Sequence, residues 1–183
     1  MATDREQIAQ AAAALIIEQE LDDWQLARRK AARQLGFDER ATMPDRVELE
    51  TALRAYAQLF LAEEQAELVS ELRSEALQWM DELAEFGPEL TGPVAEGWGY
   101  PGCEIRLELL ADDAKLVEIA LLNRNIEFTP GAPVRPGSRT PEILAIEGGI
   151  GPIKLVIQDV AIRRNRKHDR TRMRAGELRT LIG

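Results

Sequence analysis

The chain has 183 residues, of which 45% are hydrophobic, so it can form one compact domain or two small ones with a sizeable core. Its formal net charge of −9 argues against general affinity for nucleic acid or for anionic membranes. The only cysteine is Cys103, which excludes a disulfide framework and a thiolate metal cage within one chain.

Charge and composition change near the middle of the chain. Residues 1–85 carry 9 basic and 19 acidic side chains, whereas residues 86–183 carry 14 and 13. Most glycines and prolines lie at or beyond Gly87. We therefore predict a helical domain over residues 1–86 and a second domain over residues 87–183. The apolar run at residues 11–17 is too short to span a membrane, so we expect a cytoplasmic protein with no membrane partner.

The first two helices are indicated by apolar spacing and by capping residues. Apolar side chains from Ile8 to Ile16 recur at helical intervals and predict the first helix. Asp22 or Asp23 is expected to cap a second helix, and Gly36 is expected to end it.

A third helix is predicted to start at Thr42-x-x-Asp45, with Pro44 in its first turn. Residues 45–86 contain no glycine or proline, and an unbroken helix of that length would extend about 63 Å. We therefore predict a break near residues 61–64. The apolar face of the first part is assigned to Val47, Leu49, Leu53, Tyr56, Leu59 and Phe60. Short connections between such helices predict an antiparallel bundle or a long helical hairpin.

The second half combines strands with short helices. The pattern predicts strands at residues 90–94, 104–110, 143–146 and 153–160, the last two forming a hairpin. It predicts helices at residues 114–123, started by Asp112 or Asp113, and at residues 175–181. Residues 129–141 are assigned to a loop. The predicted fold class is α+β, with a helical bundle or hairpin followed by a small mixed-sheet domain.

Three charged residues share one face of the strand at residues 104–110. Because side chains alternate along a strand, Glu104, Arg106 and Glu108 point the same way. Two carboxylates in this arrangement can hold a divalent cation, but the arginine between them competes for the same oxygens. The alternative is a surface charge ladder over a buried apolar face.

The stretch at residues 90–109, LTGPVAEGWGYPGCEIRLEL, resembles the entrance to the active site of the minimal nucleotidyltransferase fold. Gly92 matches the glycine that follows the family's first strand, although Pro93 replaces the family's serine. Glu104 occupies the first position of the acidic pair on the next strand. Arg106 occupies the second acidic position, and Lys154 lies in the most suitable slot for the third acid.

This resemblance implies a nucleotidyltransferase-like fold over the second half of the chain. In the family, the carboxylates bind two Mg²⁺ ions that orient a nucleoside triphosphate. The implied catalytic residues are Glu104 and Glu108, with Glu104 as a metal ligand. Because Arg106 replaces a carboxylate, our main expectation is a catalytically weakened protein in which Arg106 contacts a phosphate of a nucleotide or RNA.

Two alternative functions remain open at this point. One is an active Mg²⁺-dependent nucleotidyltransferase that uses Glu104, Glu108 and a third carboxylate such as Asp159 or Glu147. The other is a non-enzymatic protein-interaction or dimerisation module, in which the acidic helical half mediates contact with a partner or formation of a homodimer.

The glycine-rich loop at residues 97–102 is a second candidate for phosphate binding. Gly97 and Gly99 allow backbone amides to approach a phosphate closely. The alternatives are a simple connection, or a loop that Trp98 and Tyr100 anchor to the helical half.

The third candidate is a basic run at residues 163–174, which holds seven Lys or Arg side chains against one acid. We predict that Arg163, Arg164, Arg166 and Lys167 contact the phosphate backbone of RNA. The alternative is that the run pairs with the acidic helical half, within the chain or in a dimer.

Overall fold

The computed structural model describes residues 3–21, 23–37, 43–131, 141–160 and 171–182. The fold is α+β, with helices first and a mixed sheet after them, which confirms the predicted class. The helices are α1 (Asp4–Glu18), α2 (Trp24–Gln34), α3 (Arg46–Phe60), α4 (Gln65–Glu82), α5 (Pro93–Glu96), α6 (Ala114–Asn123) and α7 (Ala175–Ile182), with a 3₁₀ turn at Ala84–Phe86. The strands are β1 (Glu89–Thr91), β2 (Ile105–Leu110), β3 (Thr129–Pro130), β4 (Glu142–Ile146), β5 (Ile153–Gln158) and β6 (Met173–Arg174).

The chain forms two compact units. The helical unit comprises Met1–Leu68 and Trp98–Gly102, and the sheet unit comprises Val69–Gly97 and Cys103–Gly183. Helix α4 therefore begins in the helical unit and continues in the sheet unit. The domain boundary between residues 86 and 87 stays a prediction, because compactness does not establish which segment folds independently.

Helix starts in the helical unit follow from capping side chains. Asp23 accepts hydrogen bonds from the amides at the start of α2, as predicted. Helix α3 begins at Arg46, so its predicted start at Thr42 is wrong, and Thr42 itself lies outside the described residues. The reason is that Asp45 and Glu48 form a reciprocal capping box, which sets the helix start after Asp45.

The core of the helical unit lies where α1 packs against α2 and α3. The buried face of α3 consists of Leu49, Leu53 and Ala57. The predicted apolar face was wrong in part, because three of its members are largely exposed: Val47 by 71%, Leu59 by 72% and Phe60 by 61%. The predicted break is confirmed, since α3 ends at Phe60 and α4 begins at Gln65.

Within the described residues, the sheet has six strands in the order β3-β4-β5-β2-β1-β6. All neighbouring strands are antiparallel except β2 and β5, which are parallel. In register, Arg106 of β2 lies between Thr91 of β1 and Lys154 of β5. This register places residues from three separate segments of the chain side by side.

One face of the sheet is apolar and buried, because hydrophobic side chains alternate with polar ones along the central strands. The fully buried side chains on that face include Leu90, Ile105, Leu107, Leu109, Ile153 and Leu155. The core of the sheet unit also contains Leu72 and Met80 of α4 and Leu121 of α6. The opposite face carries the charged residues of interest.

Most elements of the second half match the predictions. Helix α6 spans Ala114–Asn123 with Asp113 as its cap, and β4 and β5 form an antiparallel pair. The first strand is shorter than predicted, because a helix, α5, starts at Pro93. The predicted loop at residues 129–141 also needs correction, since Thr129–Pro130 pairs with β4 as β3. Among the described residues, no helix has the length and apolar character needed to cross a bilayer.

Candidate functional site

The candidate site lies on the polar face of the sheet, around Glu104. This carboxylate precedes β2 and accepts hydrogen bonds from two cations. Nη2 of Arg106 lies 3.2 Å from its Oε1, and Nζ of Lys154 lies 3.3 Å from its Oε2. The three side chains are 31%, 21% and 18% exposed, respectively, so solvent can reach them but screens them only in part. We call these three residues the Glu104 cluster.

Gly92 borders this cluster at the end of β1. Its φ of +74° lies in the left-handed region, which glycine adopts without strain. A Cβ atom added at Gly92 would lie 3.4 Å from Nη1 of Arg106. The guanidinium group therefore lies against the backbone of Gly92, in a space that a side chain would narrow. The structure thus brings together Gly92, Glu104 and Arg106, which sequence reasoning had selected.

A second set of charges surrounds Glu108 on the same face. Glu108 accepts two hydrogen bonds from Arg172, the longer measuring 3.0 Å, and one of 2.8 Å from Nε2 of Gln158. Glu89 on β1 lies 3.6 Å from Nη1 of Arg172 and 3.4 Å from Nε of Arg174. Glu108 is therefore bonded to a cation, Arg172, that differs from the two cations bonded to Glu104.

The two predicted catalytic carboxylates are far apart along the strand. Glu108 is four positions after Glu104, and a strand rises about 3.3 Å per residue, so their Cα atoms are about 13 Å apart. Ligands of one two-metal site must reach ions roughly 4 Å apart. Within the described residues, no group of three or more His, Cys, Asp or Glu side chains could hold a metal ion.

The chemistry of the Glu104 cluster favours an anion over a divalent cation. Each oxygen of Glu104 already accepts a hydrogen bond from a positively charged group, one from Arg106 and one from Lys154. The two positive charges would repel a metal ion bound to the same oxygens. Arginine and lysine side chains that are partly shielded from water are suitable donors for phosphate oxygens. The polar face also fits the charge-ladder alternative, because its acids and cations are paired above an apolar face.

The two glycines predicted to bind phosphate belong to different units of the chain. Gly97 ends α5 with a φ of +85°. Gly99 belongs to the helical unit, where its amide donates to Oε1 of Gln65 at 3.2 Å and its carbonyl accepts from Nε2 of Gln65 at 2.7 Å. Trp98 and Tyr100 are buried, and they belong to the helical unit as the anchoring alternative predicted.

The basic run is only partly described. Its predicted RNA contacts lie in the segment 161–170, outside the described residues: Arg163, Arg164, Arg166 and Lys167. At the end of the run, Arg172 and Arg174 pair with Glu89 and Glu108 of the sheet. For these two arginines, ion pairs to the sheet therefore take the place of the predicted pairing with the helical half.

Helix α4 contributes two residues that were not predicted from the sequence, Arg73 and Glu75. Each one forms hydrogen bonds to a backbone segment near the Glu104 cluster. Arg73 donates from Nε to the carbonyl of Val94 at 3.1 Å and from Nη2 to that of Ala95 at 3.3 Å, and burial lowers its pKa. Glu75 is 8% exposed and accepts from backbone amides of the turn between β4 and β5. A charged residue on the buried face of a predicted helix was the only sequence signal for Glu75.

No protein-family model matches this chain, and no curated protein matches it either. The resemblance to nucleotidyltransferases therefore rests on the residues of the chain alone.

Proposed function

We propose that this protein binds the phosphate chain of a nucleotide through Arg106 and Lys154 and does not catalyse nucleotidyl transfer. One observation carries this proposal: the two cations are direct partners on adjacent parallel strands and are bonded to the same carboxylate. The cluster holds two cations against one acid in a chain whose formal charge is −9. A multivalent anion is the ligand that such a pair of donors suits.

The arrangement of elements around the cluster supports a nucleotide as that anion. The resemblance implies a glycine after the first strand, an acidic pair on the next strand and a third acid on a later strand. Here Gly92 follows β1, Glu104 and Arg106 lie at the start of β2, and Lys154 lies on β5 next to it. In our proposal, two cations contact the phosphates directly in place of metal ions.

An active transferase is the less favoured reading. It needs carboxylates that converge on shared metal ions, and the described residues contain no such group.

The test is calorimetric titration with ATP, GTP and tripolyphosphate in the presence of EDTA. Each charge-assisted hydrogen bond contributes about 1.5–3 kcal/mol, so R106Q and K154Q should each weaken binding roughly 10- to 100-fold. Comparable binding of tripolyphosphate and ATP would indicate that the phosphates provide most of the affinity.

The matched control is R174Q. Arg174 lies on the same sheet but is 67% exposed and pairs with Glu89, away from the cluster. Its replacement should leave the affinity within about twofold, since exposed ion pairs contribute little. The absence of binding at millimolar ligand, or an equal loss in R174Q, would contradict the proposal.

A further inference from the structure

The turn between β4 and β5 is held by a carboxylate from another part of the chain. The two oxygens of Glu75 each accept one backbone hydrogen bond, from the amide of Gly149 at 2.5 Å and from the amide of Ile150 at 2.9 Å. The side chain is 8% exposed. Two neighbouring amides that converge on one carboxylate resemble the backbone sites that bind free anions in other proteins.

The close approach of Glu75 depends on glycine. A Cβ atom added at Gly148 would lie 2.2 Å from the carbonyl oxygen of Gly151 and 2.7 Å from Oε1 of Glu75. A Cβ atom at Gly149 would lie 3.5 Å from the same Oε1, which is ordinary contact. The lack of a side chain at Gly148 therefore allows the turn to bring its amides to the carboxylate.

The turn leads directly into the strand that carries Lys154. The carbonyl of Pro152 accepts a hydrogen bond of 2.9 Å from the amide of Ile105, which joins the turn to the start of β2. Lys154 is two residues further along, and Arg106 is its register partner. Any shift of the turn would thus move the backbone from which one cation of the Glu104 cluster extends.

Helix α4 also bonds to the backbone that follows Gly92, on the side of the cluster where Arg106 lies. Arg73, two residues before Glu75, donates to the carbonyls of Val94 and Ala95 in α5, the helix that follows Gly92. Helix α4 therefore contacts both backbone segments that border the cluster. Arg73 bonds to α5, near Arg106, and Glu75 bonds to the turn that precedes Lys154.

From these contacts we infer that Glu75 is a positioning residue. Its carboxylate acts as a built-in anion that holds the turn at residues 148–151 and so places Lys154 for phosphate binding. The second part of this inference rests on the proposed function. The first part, that Glu75 holds the turn, stands independently.

The experiment compares E75Q with the control E71Q, which changes an exposed glutamate one turn earlier on α4. Glutamine has the size of glutamate, but it lacks the charge and presents one donor group to the two amides. Amide hydrogen exchange at Gly149 and Ile150, followed by NMR, should be at least tenfold faster in E75Q and unchanged in E71Q. Formate added to E75A should restore protection of both amides, whereas chloride at equal ionic strength should not.

Tripolyphosphate affinity provides the second measurement. We expect binding to be three- to tenfold weaker in E75Q and unchanged in E71Q. Under conditions where both variants remain folded, reduced stability alone does not change this affinity. Should E75Q not fold, E75D serves in its place, because its shorter side chain keeps the charge but draws the carboxylate away from the amides of Gly149 and Ile150.

Each outcome separates the two claims. Unchanged exchange at both amides in E75Q would overturn the inference. Faster exchange with unchanged affinity would show that Glu75 holds the turn but does not position Lys154. A wild-type protein that binds no tripolyphosphate would refute the proposed function, and the exchange rates would still decide whether Glu75 holds the turn.

Discussion

Replacing Glu104 by glutamine removes one negative charge from the candidate site and preserves the shape of the side chain. The carboxylate lies 3.2 Å from Arg106 and 3.3 Å from Lys154. If these cations bind phosphate, Glu104 competes for their hydrogen atoms and repels the ligand. We therefore predict that E104Q binds tripolyphosphate more tightly than the wild-type protein. A metal site would show the opposite effect, because it would lose a ligand.

The size of the expected gain in tripolyphosphate affinity in E104Q follows from the distances at the site. A phosphate oxygen contacts a guanidinium nitrogen at about 2.8 Å, so a ligand charge beyond Arg106 lies about 6 Å from Glu104. Two unit charges at that separation interact by about 0.7 kcal/mol in water and about 2.8 kcal/mol at an effective dielectric constant of 20. Because the Glu104 side chain is 31% exposed, we take about 1–1.5 kcal/mol, or roughly 5- to 12-fold in affinity.

The assay is calorimetric titration with tripolyphosphate at an ionic strength of about 0.1 M, first with EDTA and then with Mg²⁺. The control is E108Q, on the same strand and face but about 13 Å away. That separation exceeds the Debye length of about 10 Å, so the affinity of E108Q should stay within about twofold of wild type. Weaker binding by E104Q, or binding that requires Mg²⁺, would refute our reasoning and favour Glu104 as a metal ligand.

Two further predictions concern the scaffold. Leu107 is fully buried, so L107A should lower the free energy of unfolding, measured in urea, by about 2–5 kcal/mol. The control is L59A, because Leu59 is 72% exposed, and it should change this free energy by less than about 0.5 kcal/mol. Equal effects of the two variants would contradict the assigned core. The hydrogen bond from the Tyr56 hydroxyl to Glu18 raises the pKa of Tyr56, with smaller contributions from burial and from the charge of Glu18, so E18Q should lower that pKa in a titration followed by phenolate absorbance. The hydrogen bond stabilises the folded state while the Tyr56 phenol is neutral. This stabilisation is therefore present below the pKa of unfolded tyrosine and is lost as the pH rises through the higher folded-state pKa. An unchanged Tyr56 titration in E18Q would exclude the hydrogen bond as the cause of the raised pKa.

Local signals were sufficient for many of the secondary-structure elements. The start of α6 was predicted at Asp112 or Asp113, of which Asp113 is the cap, and the length of the glycine-free region indicated the break between α3 and α4. The alternation of Glu104, Arg106 and Glu108 with apolar residues gave β2 and its two faces. These features depend on neighbours within one or two turns, which a sequence displays directly.

The remaining features depend on distant segments of the chain. Which side of α3 is buried is decided by its packing against α1, and spacing alone could not exclude Leu59 and Phe60 from that side. The pairing of Arg106 with Lys154 requires the register of two strands whose connection passes through α6, β3 and β4. The contact of Glu75 with the β4–β5 turn spans more than 70 residues, and the local pattern shows only a charge on a buried helix face, not the partner of that charge.

The parallel pairing of β2 with β5 has a consequence for how the protein is made. During synthesis, the ribosome releases β2 well before β5, so a nascent chain that stops short of Lys154 holds only one of the two cations that we propose bind phosphate. Pairing over such a sequence distance must first close a long loop, which slows folding. Ligand added during refolding should therefore leave the early steps unaffected and stabilise the chain only once the fifth strand has docked.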